Sequence, residues 1–231
     1  MFALTPLELE AVQLSLKVSL WAVTITLPFG IVVAWVLARC DFPGKSLFDA
    51  LVHVPLVVPP VVIGYLLLVL FGRNGAIGGW LYDTFALTVA FSWQGAAVAA
   101  AVMSFPLMVR AARLSIEAID TRLEEAARTL GAGPIDIFFS ITLPLAGSGI
   151  IAGSILGFAR ALGEFGATIT FVSAIPGETT TLPLALYSLA QVPGQEAAAI
   201  RLVVLSVVIA FTAMFVSEVL ARRVRRRISG L

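Results

Sequence analysis

The chain has 231 residues, 59% of them hydrophobic and 13% charged, with a formal net charge of +1. Soluble domains carry about 25% charged residues, so this composition, with a mean hydropathy of +1.01, excludes a soluble enzyme and predicts an integral membrane protein. A single cysteine, Cys40, excludes an intrachain disulfide, and a single histidine, His53, leaves too few ligands for a zinc site.

A spanning helix needs roughly 20 apolar residues, because ~1.5 Å of rise per residue must cover ~30 Å of hydrocarbon. Residues 9–38 satisfy this, with Lys17 the only charge after Glu10. Glu8 and Glu10 stand at the start of the run where a signal peptide would carry basic residues, and the run is too long for a signal core, so no cleavage is expected. Gly44-Lys45-Ser46 follows, but a phosphate-binding loop needs glycine five positions earlier, where Arg39 stands. No nucleotide cradle is therefore expected in this chain. His53, four residues after Asp49, is expected to form an interfacial pair rather than a metal or catalytic site.

The second candidate span, 51–71, opens on Pro55-Leu56-Val57-Val58-Pro59-Pro60. Proline lacks an N–H and interrupts the helical ladder. A bilayer tolerates such breaks only beside protein or a water-filled cavity, so Pro59 and Pro60 are expected to face protein or a water-filled path through the membrane. The third candidate is 87–109. The longest polar loop follows, 110–143, and reads as two short amphipathic helices. Ile116, Ile119, Leu123, Ala126, Ala127 and Leu130 recur at helical spacing, with Glu117, Asp120, Glu124 and Arg128 on the remaining surface. Glu124 and Arg128 are four apart, the favourable order for a helix pair. Gly131 falls where a left-handed C-terminal residue is wanted, Gly133-Pro134 restarts a helix, and Ile135, Phe138 and Phe139 form a second apolar stripe. Pro144 is expected to close the loop as the next span begins.

The fourth candidate, 145–175, is longer than one crossing needs. Gly153, Gly157, Gly163 and Gly166 are expected to permit close helix packing, or to let the backbone bend. Arg160 and Glu164 are the charges well inside it, four residues apart. An intramembrane arginine costs roughly 2.5–3.5 kcal/mol on insertion scales, so the pair is expected to face protein or water, either in the path or gate or as a structural lock. The loop 176–196 is expected to form a short helix around 182–189, with Thr179, Thr180 and Thr181 solvated or facing a partner. The fifth candidate is 197–221, and the basic cluster at 222–227 is expected to rest on anionic lipid.

Five spans put the termini on opposite sides. One set of loops holds eleven of the fifteen basic residues, the other holds Lys17, Arg73 and Arg201, and Arg160 lies within a span. The positive-inside rule then places the 110–143 loop and the C-terminus in the cytoplasm and the N-terminus outside. The basic cluster has no interleaved aromatics, so no nucleic-acid partner is expected.

Within the polar loop, Glu125-Ala126-Ala127, three residues, Gly131, nine residues, Ile141, one residue, and Leu143-Pro144 form a fixed spacing. It resembles the cytoplasmic motif of binding-protein-dependent ABC importer permeases. Arg39-x-x-Phe42-Pro43-Gly44-Lys45, the proline-rich opening of the second span, Ser104-Phe105-Pro106-Leu107-Met108-Val109-Arg110 and Gly163-Glu164-Phe165-Gly166-Ala167-Thr168 resemble the molybdate branch of those permeases, over essentially the whole chain. The resemblance implies an all-α membrane protein with five transmembrane helices in one domain, 1–231, of the type I ABC importer permease (MetI-like) fold. It implies a bacterial inner-membrane homodimer that engages two ATPase subunits through Glu125, Ala126, Ala127, Gly131, Ile141, Leu143 and Pro144, with ATP and Mg2+ on those subunits and no cofactor here. A periplasmic oxyanion-binding protein would deliver cargo. The same architecture carrying sulfate, thiosulfate or tungstate stays open. A stand-alone ion-coupled carrier is a further alternative, and it would call for more intramembrane acids or inverted repeats.

Overall fold

Thr5 starts the first helix, α1 (Pro6–Arg39): its hydroxyl accepts from the Glu8 N–H at 3.3 Å, and the Glu8 carboxylate accepts from the Thr5 N–H at 2.7 Å. Two orphan donors are thereby satisfied reciprocally, with proline at the first helical position. The computed structural model describes residues 5–228, and every regular element among them is helical. After α1 come α2 (Lys45–Val57), α3 (Pro60–Phe71), α4 (Ala76–Phe85), α5 (Trp93–Glu117) and α6 (Thr121–Thr129). Then α7 (Pro134–Ile137) leads through a π turn (Phe138–Thr142) into α8 (Leu143–Leu162), followed by α9 (Gly166–Val172), α10 (Leu182–Ala190) and α11 (Glu196–Ile228).

Four helical runs are long and apolar enough to cross a membrane: Pro6–Arg39, Trp93–Glu117, Pro134–Leu162 and Glu196–Val216. A fifth arises if α2 and α3, bent by 110° at their junction, count as one span. The most enclosed is α5. Its Ala96, Ala99, Ala100 and Met103 pack on Phe171 and Val172 of α9, while Val109, Ala112 and Ile116 pack on Ala34 and Leu37 of α1 and Ile150 of α8. Small residues make this approach possible. A Cβ added at Gly149, Gly153 or Gly157 would fall within 3.0 Å of Ser115, Ala111 or Met108, so one glycine-lined face of α8 lies directly on α5. A separate cluster of Ala11, Leu182, Ala185 and Leu202 ties α10 and the start of α11 to the start of α1.

The boundaries differ from the sequence expectation where proline and glycine act. The run 51–71 is not one straight span, because Val58 and Pro59 are extended between α2 and α3. The third span begins at Trp93, capped by Ser92, whose hydroxyl accepts from the Gly95 N–H at 3.2 Å, and it continues to Glu117. Ile116 therefore ends a spanning helix instead of starting a loop helix. The fourth run breaks after Leu162, where Gly163 caps α8, and resumes at Gly166. The second loop helix is not separate either, since Pro134–Leu162 is continuous. Pro144 continues this helix rather than closing the loop. Proline has no N–H to bond four residues back, and the wider π turn that precedes it accommodates the gap. The side chains of 222–227 lie outside the described residues.

Candidate functional site

The polar loop is built by capping. Asp120 starts α6, its carboxylate accepting from the Arg122 N–H at 3.0 Å. At the other end the Ala132 N–H donates to the Ala127 carbonyl at 3.0 Å and the Gly131 N–H to Arg128 at 3.0 Å. That pair of bonds needs a left-handed residue between helix and exit, and Gly131 supplies it at φ +90°. Gly133-Pro134 then starts α7, as its spacing suggested.

The motif residues divide by exposure. Glu125, Ala126, Gly131 and Pro144 are exposed, and Ala127, Ile141 and Leu143 are half-buried. Leu143 packs on the cluster of Ala34, Leu37 and Ile116. Ile116 and Ile119, which share the helical spacing of Leu123 and Leu130, are buried, but Leu123 and Leu130 are exposed. With Ile135 and Phe139, also exposed, they give the α6–α7 turn an apolar surface that nothing among the described residues covers. Leu130 is 88% exposed, and apolar side chains exposed together in one patch mark a contact with a protein or a lipid surface.

Glu124 corrects the sequence reading. It does not pair with Arg128 on the surface. It is buried, with Arg39 Nε donating to its Oε1 at 3.1 Å and the Thr142 hydroxyl donating to the same oxygen at 3.0 Å. Arg39 also donates through Nη2 to the carbonyls of Ile116 at 3.0 Å and Ile119 at 3.2 Å. No local spacing announces this, since its partners are 85 and 18 residues away in the chain.

The two helix breaks meet. Gly166, which opens α9, lies against Pro60, which opens α3, with Pro59 exposed beside them. Just before α9, Glu164 is buried and accepts the Ala167 N–H at 2.8 Å. Arg160 pairs with the other carboxylate oxygen by proximity, without hydrogen-bond geometry. The two residues do not share one helical face, because α8 ends between them. The arginine neutralises a buried carboxylate, so the pair offers no unopposed positive charge to an anion. Phe165 stacks beside Tyr187 of α10, with ring centroids 5.0 Å apart.

At the α5 C-terminal end, Asp49 is shared. Arg113 Nη1 lies 2.9 Å from it, His53 Nδ1 contacts its carbonyl at 2.8 Å, and Arg113 Nε reaches Glu117 at 2.7 Å, around a cleft of about 320 Å³. The expected His53–Asp49 pair is present, with Arg113 added. At the opposite end, Arg201 reaches the buried Glu8 at 2.9 Å and the Ser15 hydroxyl accepts the Leu182 N–H at 2.6 Å, beside a mostly apolar cavity of about 420 Å³. Thr179 is fully buried there, accepting from Ile175 N–H at 2.9 Å and donating to the Ser173 carbonyl at 2.9 Å, so it neither meets solvent nor faces a partner. Among the described residues no three His, Cys, Asp or Glu side chains gather as a metal site.

A family model described as "Binding-protein-dependent transport system inner membrane component" matches residues 26–226. The chain is 62% identical to the Molybdenum transport system permease protein ModB of Escherichia coli (strain K12), covering 97% of this chain and 98% of that protein. It is 54% identical to the protein of the same name in Haemophilus influenzae, covering 96% and 97%. Among solved structures, the fold is similar to that of an inward-facing MetNI methionine ABC transporter chain, with a TM-score of 0.74 at 18% identity over 94% of this chain and 96% of that one.

Proposed function

The chain belongs to the family of binding-protein-dependent transport system inner membrane components, and from that premise we propose that it is the membrane-spanning permease subunit of an ABC importer that carries molybdate into the cell. The molybdate assignment rests on likeness, over nearly the full length of both chains, to two molybdenum permeases. The observation that carries the mechanism is the exposed apolar turn from Leu123 to Phe139, fixed by the left-handed Gly131 and presented beside Glu125 and Ala126.

In this reading the chain hydrolyses nothing. Two copies face each other, because the spans of one chain enclose a pathway poorly, and each presents its turn to a separate ATPase subunit. The turn lies on the cytoplasmic side, which agrees with the crowding of basic residues on the loops that share its face. Leu123, Leu130, Ile135 and Phe139 supply the area buried on docking, Glu125 supplies a charge at its edge, and Ala126 and Ala127 let a partner backbone approach. ATP-driven closure of the partner pair then displaces the turns, and Ile141, Leu143 and Pro144 pass the movement into α8. A binding protein releases the oxyanion at the opposite face, near α10. The ion crosses beside the junction of Pro59, Pro60, Arg160 and Glu164. The neutralised pair holds an anion weakly, which suits a conduit that has to release its cargo.

The test is a cysteine at Ala126 in a Cys40→Ser background. In membranes that contain the cognate ATPase, a short crosslinker should join the two chains, and ATP should drive molybdate uptake into vesicles. Failure to capture the ATPase, with uptake intact, would remove the turn from the mechanism.

A further inference from the structure

The exposed turn has to be attached rigidly to the spans if its displacement is to move them, and the motif residues alone do not provide that attachment. Of the seven, only Leu143 is packed into a core cluster of this chain. The polar attachment is made instead by Glu124, whose side chain is 6% exposed and whose Arg39 partner is 14% exposed. Three elements converge on this carboxylate: α6, which carries it; the end of α1, through Arg39; and the π turn, through Thr142. Arg39 extends the junction to a fourth by binding the carbonyls of Ile116 and Ile119 at the end of α5, where a cation meets the negative end of a helix. The π turn fits the same picture. Its wider loop turns Thr142 inward, where it is 1% exposed, and such turns within α-helices recur at functional positions.

We propose that Glu124 is a positioning residue for transport, the joint at which displacement of the α6–α7 turn is converted into common movement of α1, α5 and α8. The proposal rests on the docking role assigned to the turn. Glu124 itself is buried away from any docked partner, so its loss leaves the docking surface in place. What it changes is the number of oxyanions moved per nucleotide hydrolysed.

The experiment uses the full permease assembled with its ATPase and binding protein in proteoliposomes. Three quantities are read: ATPase retained on purification, ATP hydrolysed, and molybdate taken up. Glu124→Gln is expected to retain the ATPase and to hydrolyse ATP, while uptake per ATP falls by about fivefold or more, the size of a typical coupling between sites. Thr142→Val removes only the hydroxyl and is expected to lower the same ratio, whereas Thr142→Ser keeps the bond and the ratio. If Glu124→Gln does not assemble, the Val and Ser variants decide. A ratio lower for Val than for Ser supports the joint, and equal ratios overturn it. A Glu124→Gln complex with the wild-type ratio also overturns it. Wild-type permease that retains no ATPase removes the docking role, and the joint with it, a result distinct from normal retention with an unchanged ratio.

Discussion

Replacing Gly64 with alanine tests how the two helix breaks are held together. A Cβ there would lie 2.5 Å from the Ala167 carbonyl oxygen, 2.9 Å from Ala167 Cα and 2.9 Å from Thr170 Cβ. Ordinary contact begins at 3.4 Å, a shortfall of about 0.9 Å, and two of the three obstructing atoms are backbone. Overpacking of this kind costs about 1–3 kcal/mol. Alanine recovers about 1 kcal/mol of helix propensity over glycine, which leaves a net loss of up to about 2 kcal/mol. Pushing α9 away from α3 also carries the Ala167 N–H off Glu164, so uptake should fall along with stability. The control is Gly147→Ala in α8, where the added carbon meets nothing within 4 Å beyond its own stretch of helix backbone, so stability should hold or rise. Thermal unfolding of the purified variants measures the first effect, and vesicle uptake of molybdate the second. A Gly64→Ala protein as stable as Gly147→Ala, with full uptake, would refute the close seam.

Gly131→Val should cost about 1–2 kcal/mol at the left-handed turn and reduce ATPase retention. Gly131→Asn, which tolerates that conformation, should keep most of it, as read by co-purification. An aspartate at Ala127 should block docking while leaving membrane insertion normal, as checked by expression level and ATPase pull-down. Arg160→Ala leaves Glu164 buried with only the Ala167 N–H; breaking a fully buried pair costs about 3–5 kcal/mol, and the cost here is smaller because the Arg160 side chain is 28% exposed. Its thermal midpoint should drop, and the double variant with Glu164→Gln should recover part of the loss. Glu8→Gln removes a charged hydrogen bond worth about 1.5–3 kcal/mol and should loosen α11 from α1, seen as faster protease cleavage near Gly194.

The class and much of the path of the chain were legible because they rest on local chemistry. Apolar length marks the spans, and Gly131 and Gly133-Pro134 mark their turns by backbone preference. Pro59 and Pro60 announced an interruption, but not its size, because a bend of 110° is set by what α3 packs against. The break after Leu162 was missed for a related reason. Gly163, Glu164 and Phe165 sit in an apolar run where hydropathy does not change, although helix continuity does. Glu124 was misread because helical spacing offered Arg128 as a nearby partner. The stronger partner, Arg39, reaches it only through the packing of α1 on α5, and a buried carboxylate takes the pairing that satisfies it best. The exposed turn was half visible: periodicity found the apolar face, but not that Ile116 and Ile119 turn inward while Leu123 and Leu130 stay bare.

One feature of α8 has a mechanical result. The turn residues Ile135 and Phe139 and the intramembrane Arg160 stand on a single helix of 29 residues, roughly 43 Å long at about 1.5 Å per residue. A rigid rod of that length amplifies small rotations: tilting it by about 10° around its midpoint swings each tip by roughly 4 Å. Nudging the tip at the α6–α7 turn by little more than the width of a methyl group would therefore shift the guanidinium by a comparable distance in the opposite sense, against a carboxylate that the Ala167 N–H holds at α9.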